Sequence, residues 1–225
     1  MTPRNGTGHI YWYESIDSTN LEVRRRIAEL DNLSVIAARF QTAGRGQGSH
    51  TWISPEDENL TFTVLLRFAN GGISPLPAQD VVRITQMATL AIFDFLKEEG
   101  IVSRIKWPND IWVGDRKICG MLIENILDGS FVFGSIVGIG LNLNQKEFDP
   151  SLPNPVSLSQ LTGRQYPVEE TLQRVYENIC RQAVLLDTPD GRCELEKRFS
   201  QHLFHLDRSR QEQLSSAIED FEANR

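Results

Sequence analysis

Apolar and polar positions along the chain recur with two different periods, and the switches between them outline the elements. HIYWY (His9 to Tyr13) predicts a short aromatic strand. STNLEVRRRIAEL predicts a helix with Val23, Ile27 and Leu30 on one face and a capping-box spacing at Thr19 and Glu22. LSVIAARF (Leu33 to Phe40) reads as a buried strand that delivers the chain into a glycine-rich loop. In NLTFTVLLRF, Leu60, Phe62, Val64, Leu66 and Phe68 alternate on one face, which predicts a strand with one side in the core. PAQDVVRITQMATLAIFDFLKEEG carries Val81, Ile84, Ala88, Ala91 and Phe95 at helical spacing and stops at Gly100. From Ile101 to Asn144 short strands are separated by the turn signals VGDRK and LDGS. A proline-rich connector, FDPSLPNPVSLSQLTG, leads to the amphipathic helix VEETLQRVYENICRQAVLL, with Leu172, Val175, Ile179 and Leu186 inward. The fold predicted is α+β, a mixed and largely antiparallel sheet backed by helices. Strands in hairpin runs argue against a Rossmann fold.

Composition narrows the function classes. The 225 residues are 40% hydrophobic and 24% charged, which fits one large soluble domain or one domain with a small appendage. A net charge of −7 disfavours non-specific contact with nucleic acid or anionic membrane. No window has the apolar length of a signal peptide or a membrane span. Cys119, Cys180 and Cys193 form no CxxC pair, so reduced thiols in a cytoplasmic protein are expected.

Four clusters carry candidate chemistry. In FQTAGRGQGSHTW (Phe40 to Trp52) the glycines let backbone N–H groups approach an anion, and Arg45 adds a planar fork of donors. Trp52 can stack on a base or shield a pocket; the alternative is a flexible surface loop with a core tryptophan. No Walker A or GxGxxG spacing is present. In KWPNDIWVGDRKICG, Lys106 and Lys117 can neutralise phosphates while Asp110 holds a lysine or helps bind a metal, with Asn109 beside them. The alternative is a solvated hairpin. In GIGLNLN, Gly138 and Gly140 weaken an apolar strand unless something comes close, and Asn142 offers an amide; the alternative is a bulge at a sheet edge. Ser18, Thr19 and Asn20 stand at a helix start, where capping explains Thr19 fully and Ser18 partly.

Taken in order, STN, Q-x-x-GRG with its tryptophan, KWPND, RKICG and GIGLN resemble the biotin protein ligases over roughly Tyr11 to Leu186. KWPND followed by Lys-x-x-Gly is the most specific part. The resemblance implies a biotin ligase catalytic domain, like that of class II synthetases, over residues 1–188. It implies that biotin and ATP·Mg²⁺ give biotinyl-5′-AMP, which then acylates a lysine of a biotin carboxyl carrier protein such as that of acetyl-CoA carboxylase. Carried over by motif, Ser18, Thr19, Asn20, Gln41, Gly44, Gly120, Gly138 and Gly140 belong to the biotin pocket, with Arg45 and Lys117 on the carboxylate. Arg45, Gly46, Gln47, Trp52, Lys106, Asn109, Asp110, Lys117 and Asn142 belong to the ATP and adenylate side. Lys117 and Arg45 are the implied catalytic residues. No metal site is fixed by protein alone; Mg²⁺ comes with ATP, near Asp110. The loop is expected to order over the adenylate, which water would otherwise hydrolyse.

The chain departs from the family in three ways. Gln47 stands where many members carry a further arginine. About nine residues precede the first strand, so neither a DNA-binding winged helix nor a repressor role is expected. Residues 189–225 show no strand alternation; CELEKRFSQHLFHLD and a short helix through Leu214, Ile218 and Phe221 stand in place of the usual SH3-like β domain. A monomer or homodimer is expected. The competing readings are a lipoate or octanoate ligase of the same fold, whose RRxSGG-type motif is missing here, and a non-catalytic descendant that only binds biotin or an adenylate.

Overall fold

The computed structural model describes residues 8–48, 50–69 and 72–204. One sheet contains β1 (Ile10–Ile16), β2 (Val35–Gln41), β3 (Leu60–Arg67), β4 (Leu76–Pro77), β5 (Arg104–Lys106), β6 (Asp110–Val113), β7 (Arg116–Asp128) and β8 (Phe131–Leu141). The strand order is β1-β2-β3-β8-β7-β6-β5, with β4 on β8. β1 and β2 run parallel and the other pairs antiparallel, so the sheet is mixed as the pattern predicts. The helices are α1 (Thr19–Arg25), α2 (Val82–Glu98), α3 (Leu158–Thr162), α4 (Val168–Ala183) and α5 (Pro189–His202).

Turn chemistry fixes the long central hairpin. Asp128 pairs with Phe131 across a two-residue loop in which Gly129 has φ +58°, a left-handed conformation glycine adopts without strain. Gly114, at φ +60°, turns the chain between β6 and β7 in the same way. Ser157 and Gln160 form a reciprocal capping box on α3, and Pro189 stands in the first turn of α5 behind the Thr188 cap.

The sheet is covered on both faces. On one, Val35, Ala37, Phe62, Val64, Leu66 and Val137 pack against α2, α4 and α5 in a single core that includes Leu195 and Phe199. On the other, Ile36, Leu65 and Ile136 pack against Val23 and Leu30 of the α1 segment. The one-sided strand expected at 59–68 is therefore two-sided: every residue from Leu60 to Leu66 is buried. Thr61 and Thr63 read as polar in an alternating pattern, but small hydroxyls are buried without penalty once hydrogen-bonded. The expected helix from Ser18 to Leu30 is shorter, ending at Arg25 and continuing in turns. Residues 205–225, including Leu214, Ile218 and Phe221, lie outside the described residues.

Candidate active site

Strand register builds a hollow on the α1 face. Three rows run across β3, β8 and β7: Leu65–Ile136–Glu124, Thr63–Gly138–Leu122 and Thr61–Gly140–Gly120. The first row is bulky and packs under α1; the third is threonine and two glycines, so the sheet surface drops away just beyond the helix. Gly138 and Gly140 sit on a central strand in regular register, not at an edge bulge. Their hydrogens face two ordered side chains: a Cβ on Gly138 would stand 2.1 Å from Asn20 Oδ1, and one on Gly140 would stand 2.3 Å from the Trp52 indole.

The polar wall at the α1 end is one network. Thr63 Oγ1 lies 2.6 Å from Asn20 Oδ1 and 2.8 Å from Thr19 Oγ1, while Gln41 Oε1 accepts from the Thr19 amide at 2.8 Å and from its hydroxyl at 3.1 Å. The expected capping box is therefore not made. Ser18 is the N-cap and has no side-chain cap bond, and the Thr19 hydroxyl is turned into the sheet, where Gln41 and Thr63 satisfy it. Asn20 Nδ2 donates to Leu122 O and to Glu124 Oε2.

The glycine loop is a narrow hairpin. Gly46 N–H donates to His50 O at 2.8 Å, Trp52 N–H to Gly44 O at 3.0 Å, and Arg45 bridges Thr51. Gly44 is a glycine for this closure, because a Cβ there would meet Trp52 O at 2.2 Å. Opposite the loop, Lys106 ends β5 and Asp110 begins β6, directly paired across the Trp107-Pro108-Asn109 turn. Asp110 Oδ1 lies 2.8 Å from Lys117 Nζ. The Asn109 amide donates to Met121 O, and Lys106 Nζ sits 3.8 Å above the Trp112 ring. The backbone of Lys117 is clamped by the connector: its N–H donates to Asn154 O, and its carbonyl accepts from Val156 N–H. A Cβ on Gly120 would come within 3.0 Å of the Lys117 ammonium, which accounts physically for the Lys-x-x-Gly spacing.

These groups converge on one cavity of about 460 Å³. Its wall holds Ser18, Thr19, Asn20, Gln41, Arg45, Gly46, Gln47, Trp52, Lys106, Asn109, Asp110, Lys117, Gly120, Gly138, Gly140 and Asn142. Gly44 alone of the residues expected at the site is not in the wall. Asn142 is there, but its amide donates to Val156 O at 3.1 Å and Lys117 O at 3.4 Å, so it braces Lys117; only its side-chain oxygen remains to offer a ligand. The wall also contains Trp112, Ile53 and the connector residues Phe148, Leu152 and Pro155, which no motif singled out. Trp112 follows KWPND by two residues, and that alternation was the available signal. The indole N–H groups of Trp52 and Trp112 are buried without a hydrogen-bond partner among the described residues. The wall holds three cations, Arg45, Lys106 and Lys117, and one carboxylate, Asp110, with Glu124 just outside it against Arg45, in a protein whose net charge is −7. Such a pocket concentrates anions against the field of the molecule around it.

The profile of the biotin/lipoate A/B protein ligase family matches residues 12–142. The biotin–[acetyl-CoA-carboxylase] ligase of Paracoccus denitrificans is 32% identical over 179 residues, 76% of this chain and 72% of that protein. The bifunctional ligase/repressor BirA of Bacillus subtilis is 31% identical over 176 residues, 74% of this chain; the chain spans about half, 51%, of that relative's length. A biotin protein ligase from Aquifex aeolicus in complex with biotin and ATP superposes with a TM-score of 0.72 at 24% identity, over 88% of this chain and 79% of that one. One from Leishmania major in complex with biotin gives 0.68 at 23%, over 89% and 84%. At such identities the superpositions speak for the fold.

Proposed function

The chain belongs to the biotin/lipoate A/B protein ligase family, and from that premise we propose that it activates biotin with ATP and transfers it to a lysine of a biotin carboxyl carrier protein. The observation that carries this reading is that Arg45, Lys106 and Lys117 line the same cavity as the neutral Ser18, Thr19, Asn20 and Gln41 side chains. A ligand with an uncharged polar head, an apolar body and an anionic tail matches that lining.

In the first step the biotin carboxylate attacks the α-phosphorus of ATP and pyrophosphate leaves. Two anions must approach, so the barrier falls with the cations that offset their repulsion and the charge developing on phosphorus. Arg45 and Lys117 bracket the joining oxygens, and Lys106 meets the leaving phosphates. Asp110 keeps the Lys117 ammonium aimed, and the connector holds its backbone. The unpartnered indole N–H groups of Trp52 and Trp112 are donors that ligand oxygens can satisfy. In the second step the neutral amine of the carrier lysine attacks the anhydride carbonyl. The C–O bond to phosphate breaks, AMP departs, and an amide remains. Among the described residues no group of three or more His, Cys, Asp or Glu side chains could hold a metal. Mg²⁺ would arrive on the ATP phosphates, with Asp110 as the carboxylate available to it.

The reading extends to a catalytic unit over residues 1–188 and to a cytoplasmic monomer or homodimer. No described helix is long and apolar enough to cross a membrane. The deciding experiment is biotin-dependent exchange of labelled pyrophosphate into ATP, with lipoate and octanoate in parallel. Exchange with biotin alone is expected. Exchange with lipoate or octanoate instead would move the chain to the other branch of its family, and biotin binding without any exchange would make it a binding protein.

A further inference from the structure

Glu124 stands on β7 in the row under α1, outside the cavity wall, with a side chain 19% exposed. Three groups from other parts of the chain meet its carboxylate: Asn20 Nδ2 at 3.0 Å, Arg24 at 3.1 Å, and Arg45 at 3.3 Å through both terminal guanidinium nitrogens. The Arg45 contacts are long for charge-assisted bonds, whose N···O distance is about 2.7–2.9 Å. Its side chain is 40% exposed, and pairs so open to solvent contribute little. Arg45 is thus held weakly, by an acceptor that two shorter bonds keep in place without it. Arg45 also lines the cavity.

We infer that Glu124 is a resting dock for Arg45. The guanidinium lies on Glu124 until an anion enters the cavity, then moves to the ligand, so that the two anions compete for one cation. Glu124 is a positioning residue: it sets the ligand affinity of Arg45 and the closure of the glycine hairpin without touching the ligand. The ligand half of this inference rests on the biotin ligase reading; the loop half does not.

The test uses Glu124→Gln, which removes the charge and keeps one acceptor oxygen for Asn20, while the exposed Arg24 contact on the other oxygen is given up. Hydrogen exchange of ligand-free protein should show the Gly46 and Trp52 amides exchanging faster in the variant. Arg45→Gln should accelerate them similarly and the double variant no further, since both remove one interaction. Unchanged exchange in both single variants would overturn the dock. Calorimetry should then show Glu124→Gln binding biotin about two- to fivefold more tightly. Its neutral analogue biotinol, with the carboxylate reduced to an alcohol, should bind as before. Weaker binding of both compounds would mean that Glu124 serves the pocket wall through Asn20, and competition would be excluded. If wild-type protein bound neither compound, the biotin reading would fail, and the exchange comparison would still decide whether Glu124 holds Arg45.

Discussion

Gly138 lacks a side chain because Asn20 already occupies the space above it, and Asn20 is held there by Thr63 on the neighbouring strand. A methyl group at Gly138 must displace Asn20 from that bond and from Glu124. Gly138→Ala is therefore expected to lower stability by about 1–3 kcal/mol, the usual range for overpacking. It should weaken biotin binding far more than ATP binding, measured by calorimetry with each. Lys117 presents the opposite case. Its side chain is 33% exposed and its main structural tie beyond the backbone is Asp110. Lys117→Ala should thus abolish pyrophosphate exchange while leaving the near-ultraviolet circular dichroism spectrum and the urea midpoint nearly unchanged. Wild-type-like exchange by that variant would remove Lys117 from the chemistry. The two substitutions separate a residue that shapes the pocket from one that acts in it.

At the scale of elements, the α2 C-terminus is tied to its neighbours by one carboxylate. Glu99, with a side chain only 5% exposed, is ion-paired to Arg174 of α4 and to Arg164, and accepts from the Tyr166 hydroxyl. Burial pushes its pKa up, but the Arg174 guanidinium, the Tyr166 hydroxyl and the Arg164 charge outweigh that and hold it below the ordinary glutamate value. A depressed folded-state pKa gives stability that is present above the unfolded-state value and is lost as pH falls through the folded-state value. Urea melts should accordingly show wild-type stability declining below about pH 4.5, the usual glutamate range. Glu99→Gln should be less stable at pH 7 by about 2 kcal/mol and show a shallower acid decline, because a charged hydrogen-bonded group is lost. None of this tie was legible in the chain, since Glu99, Arg164 and Arg174 are distant in sequence and look like surface charges. The same holds for Thr19: its spacing to Glu22 is a local signal for a cap, but Gln41 and Thr63 offered its hydroxyl better partners across the fold. Local periodicity did reveal the strands, the hairpin turns and the long helices, because each of those depends on residues only a few positions apart. The ordered motifs revealed most of the cavity wall for a different reason: each is short, and the ligand they resemble a site for demands all of them together. Trp112, Glu124 and the connector escaped because their roles arise only when β5 to β8 fold into one sheet.

Across the whole molecule the two faces of the sheet divide the work. The face under α2, α4 and α5 is a continuous apolar core, and the face under α1 ends in a hollow whose wall draws on the glycine hairpin, the β5–β6 turn, β7, β8 and the connector. Ligands in that hollow therefore add contacts between those segments, and binding should stabilise the fold. A ligand at a hundredfold excess over its Kd adds about 2.7 kcal/mol, which for a chain of this size raises Tm by about 5–10 °C. Biotin alone and ATP alone should each give a shift set by their own affinities. Biotin with ATP and Mg²⁺ should exceed the sum of the two, because the adenylate they form bridges both ends of the cavity and cannot leave in halves. Lys117→Ala keeps the neutral wall and Arg45, so the shift with biotin alone should shrink only by the lost carboxylate contact, but the excess should vanish. Differential scanning fluorimetry on both proteins gives the comparison. An excess that survives in Lys117→Ala would mean that the two ligands merely bind side by side, and that the bridging product is not the source of the stabilisation.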